Sequence, residues 1–143
     1  MMLVPTYVAP SDVEGVGVFA SETIKKGTLI WRYEPDFDRL VPAAWLNEQT
    51  PMMQEFLRKY AYPAHDRPDM LVIEIDNGRF MNHTLEPNTD FTRVIEGYAT
   101  RDIAPGEELL CNYAEFDPEF ALMPSMVAAF ATKKAMSNGH IGD

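Results

Sequence analysis

A mostly β or α+β domain is what this chain predicts, and three observations carry that expectation. Short runs of strand-forming residues recur along its length, each closed by a turn signal. The stretch before Glu34 has no helical periodicity at all. A well-marked helix start then appears once, inside a segment of different character, residues 34–69.

In order, Leu3 to Val8 is short, apolar and interrupted by Pro5, which suits an edge strand. Glu14-Gly15-Val16-Gly17 reads as a tight turn into a strand over Val16 to Ala20. After a turn ending at Gly27, Thr28 to Tyr33 is rich in strand formers. This Gly-x-Gly is not a dinucleotide fingerprint, because the third glycine and the following helix are missing. In the 34–69 segment, Val41 to Asn47 suits one or two helical turns. Thr50 is an N-cap with Pro51 at the first helical position. Met52 or Met53, Phe56 and Tyr60 recur on one face, opposite Gln54, Glu55, Arg58 and Lys59, so a helix is expected from Pro51 to about Ala61. Tyr62 to Asp69, with Pro63 and Pro68, reads as a loop. Met70 to Ile75, Phe91 to Thr100 and Glu108 to Tyr113 read as strands, separated by turns at Asp76-Asn77-Gly78 and Ala104-Pro105-Gly106. Past Phe116, Pro124 opens a run in which Met123, Val127 and Phe130 share a face. That predicts a C-terminal helical segment over 117–136 and a frayed tail over 137–143.

The bulk numbers bound the function. A chain of 143 residues, 46% hydrophobic and 24% charged, is the size and composition of one soluble domain. No apolar run approaches the roughly 18 residues of a membrane span. Met1 to Pro10 lacks the pattern of a signal peptide. Cys111 is the only cysteine, so neither an internal disulfide nor a cysteine zinc site can form, which fits an intracellular, cytoplasmic protein. A net charge of −10 argues against a nucleic-acid partner and allows attraction of a basic one, plain solubility being the simpler reading. Asp102, Glu107, Glu108, Glu115, Asp117 and Glu119 gather around Tyr113 in sequence. His65, His83 and His140 show no paired metal-ligand spacing, and no metal is expected.

The stretch that organises the chain is Arg79-Phe80-Met81-Asn82-His83-Thr84-Leu85-Glu86-Pro87-Asn88. Alone it could be a strand running into a polar turn. Two further stretches accompany it: Gly15-Val16-Gly17-Val18-Phe19-Ala20 with Tyr33 upstream, and Gly106-Glu107-Glu108-Leu109-Leu110-Cys111-Asn112-Tyr113 with Phe116 downstream. Taken in order, over about Val13 to Phe116, the three resemble the SET domain of protein-lysine methyltransferases. The resemblance implies the SET fold: small curved sheets of the β-clip type, a variable helical insert and a C-terminal segment threaded under an earlier loop.

It also implies a reaction, methyl transfer from S-adenosylmethionine to a lysine ε-amine in a protein. Gly15, Val16, Gly17 and Val18 would then border the cofactor, the glycines letting backbone approach it; the plain reading of the pair is a turn. Asn82 and His83 match the family's cofactor contacts, although a lone His83 would more often be a core histidine. Arg79 in the same motif, and Phe116 near adenine, have structural readings beside the cofactor one. Tyr113 matches the tyrosine at the junction of cofactor pocket and lysine channel, where orientation and electrostatics suit it better than base catalysis. Tyr33 matches a channel-lining tyrosine, and Tyr98 is a further channel candidate or a core residue. Thr84 and Asn112 replace the usual Ser and Asp. Cys111 stands where relatives often have Phe or Tyr, a small group that leaves room for more than one methyl. The zinc-binding cysteines that follow the domain in many relatives are absent, and Leu85 stands where the central motif often has a cysteine; the C-terminal helix is the expected replacement cover. A SET-fold binding protein without catalysis is the competing reading. Small viral relatives pair as dimers, so a homodimer stays open.

Overall fold

The structure is a computed structural model that describes residues 1–117. Period-two alternation builds its sheets: in β2 (Val16–Ala20) Val18 and Ala20 are buried, in β9 (Glu96–Ala99) Gly97 and Ala99, and in β10 (Glu108–Cys111) Leu109 and Cys111. The first sheet runs β1 (Thr6–Pro10), β2, β10 and β7 (Asn82–His83). The second runs β3 (Leu29–Arg32), β9 and β8 (Thr89–Asp90), and the third β4 (Arg39–Pro42), β6 (Met70–Ile73) and β5 (Tyr62–Pro63). Three small sheets and few helices give the mostly β architecture that the resemblance implies. The inner faces of the first two sheets share one core, centred on Val18, Ile30, Trp31, Ile103, Leu109 and Cys111, while the third sheet buries Val41 and Val72 apart from it.

The last strand is an insertion. β10 lies between β2, which it pairs antiparallel, and β7, which it pairs parallel through Leu110–Asn82 and Cys111–His83. Side chains bind it as well as strands. The Asn88 amide donates to the Glu108 carbonyl (2.8 Å) while its Oδ1 accepts from the Leu110 N–H (2.9 Å), and the Thr89 hydroxyl donates to the Leu110 carbonyl (2.8 Å). Both residues are buried. Asn88 therefore acts as a one-residue strand, beyond the turn chemistry its sequence setting suggests.

Several expectations shift. The edge strand begins at Thr6 instead of Leu3. The 34–69 segment contributes two strands, β4 and β5, that register on β6; Tyr62 and Pro63 are thus ladder residues, not loop. Helix α1 (Pro51–Tyr60) starts as expected, with the Thr50 hydroxyl accepting from the Met53 N–H at 3.4 Å. Its buried position is Leu57, however, while Met52, Met53 and Phe56 are exposed. The strand expected over Phe91 to Thr100 shrinks to β9. Asp90 Oδ1 accepts from both the N–H (2.8 Å) and hydroxyl (2.6 Å) of Thr92, curling the chain, and Val94 takes φ +65°. An Asx turn and a left-handed residue are incompatible with an extended ladder there. The C-terminal helix (117–136) and tail (137–143) lie outside the described residues, apart from Asp117.

Glu74, directly after β6, is a buried acid whose Oε1 accepts from the Tyr62 hydroxyl at 2.9 Å. Burial, only partly offset by this bond, pushes its carboxyl from 4.5 up to about 7.

Two outcomes follow for stability. Asn88→Ala strands the Glu108 carbonyl and Leu110 N–H and should cost about 2–4 kcal/mol in urea denaturation; Asn88→Asp, which keeps the acceptor, should cost less. Because Glu74 is raised in the folded state, its contribution is fully present below its unfolded value of 4.5 and is lost as pH rises through about 7. Glu74→Gln should therefore flatten a decline of on the order of 3 kcal/mol across that window; an unchanged slope would show that the carboxyl titrates normally.

Candidate active site

Strand β10 delivers Tyr113 to the centre of the molecule, and β7 delivers Asn82 and His83 beside it. Asn82 faces the turn between β1 and β2. Its amide nitrogen lies 3.2 Å from the Glu14 carbonyl, 3.0 Å from the Val16 carbonyl and 3.0 Å from Glu108 Oε1, three acceptors for two N–H groups. Glu108 is itself fixed by the Ser11 hydroxyl, 2.7 and 3.0 Å from its two carboxylate oxygens. This carboxylate explains Gly17: a Cβ there would sit 2.0 Å from Glu108 Oε1. The free side of Gly17 is thus filled from within the chain. Gly15 differs, with φ +49° and nothing within 4 Å of a Cβ placed on it.

His83 is buried, and its Nδ1 accepts from the Tyr113 N–H at 3.0 Å. A neutral ring so placed carries its proton on Nε2, and burial lowers its pKa from 6.5. The ring lies 5.2 Å from that of Tyr113, which in turn lies 5.8 Å from Phe116. The turn of Gly15 and Val16, Asn82, His83, Tyr113 and Phe116 therefore form one continuous line of contacts. Val18 lies in the buried core just behind it.

The Tyr113 hydroxyl donates to the Met81 carbonyl. Burial first, then the charges of Cys111, Glu14 and Glu74, push its pKa well above 10, so it stays protonated and acts as a donor, not a base. Tyr113 also walls a pocket with Met81, Cys111, Arg79 and Phe116. Cys111 is buried there, its thiol pushed well above 9 by burial. Arg79 stacks over Phe80 at 4.7 Å, and its Nε is buried with no hydrogen-bond partner among the described residues.

Other members of this wall were not singled out from sequence: Trp31, Tyr60, Tyr62, Glu74 and Phe91. Phe116 packs at 5.3 Å on Tyr62 and 5.8 Å on Phe91, and Phe91 at 5.5 Å on Trp31, giving a nearly continuous aromatic lining. One signal was available, since Glu74 interrupts the apolar run Leu71-Val72-Ile73 and Ile75. Tyr33 lies in a second, adjoining pocket that shares Trp31, Tyr62 and Val94 with the first. Tyr98 stands apart from both. It projects from β9 on the side opposite buried Gly97 and Ala99, and its hydroxyl donates to Glu96 (2.6 Å) and accepts from Arg93 (3.2 Å).

The acids around Tyr113 in sequence are dispersed in space. Asp102 pairs with Lys25 at 3.7 Å, Glu107 with Arg101 at 2.5 Å, and Glu115 accepts from the Phe91 N–H at 2.8 Å. Lys25 is an opposing cation the sequence pattern did not show. Glu119 lies outside the described residues.

Comparison with known proteins supplies the family. The family model described as "SET domain" matches residues 15–114. A histone-lysine N-methyltransferase, H3 lysine-4 specific, of Cryptococcus neoformans is 30% identical over 123 residues, covering 77% of this chain. The chain spans 8% of the length of that curated relative. Among solved structures, the Chaetomium thermophilum polycomb repressive complex 2 aligns at TM-score 0.59 and 22% identity, over 77% of this chain and 15% of that one. A provisionally named histone methyltransferase of Plasmodium falciparum aligns at TM-score 0.54 and 23% identity, over 78% of this chain and 95% of that one. At such identities the structural likeness speaks for the fold, and the sequence matches speak for descent. Together they show that this chain belongs to the SET domain family, a family of protein-lysine methyltransferases.

Proposed function

We propose that this chain transfers a methyl group from S-adenosylmethionine to the ε-amine of a lysine in a protein substrate. The observation that carries the reading is the aromatic pocket ending on the buried, protonated hydroxyl of Tyr113, with the Asn82–His83 pair on the same residue's other side. A long alkyl amine fits such a pocket. Its methylenes gain from the aromatic walls, and the ring faces attract an ammonium.

The residues present fit the cofactor in three respects. Space over Gly15 is open, Arg79 Nε has hydrogen-bonding capacity left, and the Phe116 ring is half-buried at the end of the contact line. Gly15, Val16, Arg79, Asn82, His83, Tyr113 and Phe116 are the residues assigned to hold it, with Gly17, filled on its free side by Glu108, and the wholly buried Val18 supporting the turn from behind. When bound, S-adenosylmethionine supplies a methyl group on a positively charged sulfur. The chain's own residues aim, desolvate and polarise. With its proton donated to Met81, the Tyr113 oxygen serves as an acceptor, suited to hold the amine and weakly polarised C–H groups. Tyr33, in the adjoining pocket, is assigned to guide the lysine inward across Trp31 and Tyr62. Tyr98 is kept for contacts with the substrate outside the pocket. Cys111 leaves the pocket wide enough for a methylated amine. The net charge of −10 favours a basic substrate segment.

A second reading, a SET-fold binding protein without catalysis, has its own support. Asn82, Gly17 and His83 all have structural duties, in the turn, against Glu108 and under Tyr113, that would retain them in a protein that had lost the reaction.

Calorimetric titration with S-adenosylmethionine and S-adenosylhomocysteine separates the two, joined to a peptide-array methylation assay. Tyr113→Phe should bind cofactor within about threefold of wild type yet transfer methyl at least roughly 10²-fold more slowly. Asn82→Ala, which unties the Gly15 turn, should weaken cofactor binding by about tenfold or more. Mass spectrometry of the product should show lysine carrying more than one methyl. Cofactor binding with no transfer to any peptide would favour the binding-protein reading.

A further inference from the structure

Glu74 is a buried acid in the pocket that the reading above leaves without a task. Its surroundings are adapted to it on both sides. The Tyr62 hydroxyl donates to Oε1 at 2.9 Å, and Gly78 lies so close that a Cβ there would sit 2.4 Å from Oε2. Although Glu74 is only 7% exposed, its carboxylate has no ion-pair partner among the described residues. Three cations line the same pocket, and none of them makes an ion pair with Glu74 among the described residues. Arg58 donates to Gln54 (3.0 Å), Lys59 lies over Tyr60 (5.4 Å) and Arg79 over Phe80 (4.7 Å). The place left for a cation beside Glu74 is the interior of the pocket, and Glu74 is close enough there to act electrostatically on Cys111 and Tyr113.

We infer that Glu74, held by Tyr62, is the residue that receives the substrate's lysine ammonium and takes up its proton before methyl transfer. The inference rests on the methyltransferase reading and adds a proton acceptor that Tyr113 cannot be. In water a lysine amine holds its proton to about pH 10.4. In a dry aromatic pocket a carboxylic acid beside a neutral amine is favoured over two buried charges, so the transfer is assisted by desolvation of both partners. One N–H bond breaks, leaving its electron pair on nitrogen, and an O–H bond forms on Glu74. That pair then forms the N–C bond to the methyl as the methyl–sulfur bond breaks, with its electrons passing to sulfur. The positive charge moves from the sulfonium to the methylated amine, and Glu74 returns its proton to water when product leaves.

The groups facing Glu74 agree with this role. Burial raises its pKa to about 7, Tyr62 and the N-terminal amine lower it, and Asp38 and Asp76 raise it. It is therefore ionised, and ready to accept, just above neutrality.

The test uses the full chain with δ-13C-labelled glutamate, and n-hexylamine and n-hexanol as charged and neutral probes. Hexylamine should shift the Glu74 carboxyl signal and its titration, hexanol should not, and Glu74→Gln should lose the preference for the amine. On a methylated peptide, wild-type single-turnover rates should rise with pH through about 7. Glu74→Gln, whose amide oxygen still accepts from Tyr62, should be slower by roughly 10²-fold at neutral pH and recover toward the lysine range. Tyr62→Phe, which removes a bond that lowers the Glu74 pKa, should move the profile to higher pH. Methylation by Glu74→Gln at the wild-type rate and pH profile would overturn the assignment while leaving the methyltransferase reading intact. An amine preference that needs Glu74, in a chain that methylates no peptide, would instead retain the ammonium site and remove the proton-transfer step. Failure of hexylamine to perturb Glu74 at any concentration overturns both parts.

Discussion

The position of Tyr113 depends on how one short strand is held. β10 has β2 on one flank and only the two residues of β7 on the other, so its backbone would be poorly paired without help. Asn88 and Thr89 supply that help from side chains, donating to two carbonyls and accepting from one N–H of the strand. Such a clamp is unforgiving, because a buried amide that loses one partner leaves two groups unsatisfied at once. It also explains why a β-rich molecule of this size can place chemistry on a strand end. The pocket wall, the His83 contact and the Met81 contact are all set by where β10 stops.

Much of the architecture was legible because turn chemistry and alternation are local. Val16–Ala20 was readable to the residue, and the Thr50–Pro51 start of α1 followed from capping alone. What escaped was whatever depended on partners distant in sequence. Tyr62 looks like loop between two prolines and becomes a ladder residue only because β6 is there to pair with it. Leu57, not Phe56, is the buried position of α1, because whatever packs on the helix decides which side is covered, and a shift of about 100° in phase costs little in the pattern. The Gly, Asn-His and Tyr motifs were visible as a set, and the structure brings them into one line of contacts. Tyr98 could not be told from a channel residue until β9 showed which way it points.

Several motif residues serve packing and chemistry together. Gly17 makes room for a carboxylate of the chain itself, Asn82 ties a turn to β10, and His83 props the Tyr113 backbone. A motif of this kind is constrained from two directions. Its presence alone is weak evidence of activity, and the pocket, which folding does not require, is the more informative feature.

Cys111 has a practical meaning. Its sulfur is shut inside β10, and burial keeps it in the unreactive thiol form. An alkylating reagent too bulky for the pocket it lines can reach it only when that strand lets go. As the only thiol in the chain, it is then a native reporter whose modification rate counts the releases of β10. The strand that positions the site therefore carries its own clock for how often the site comes apart.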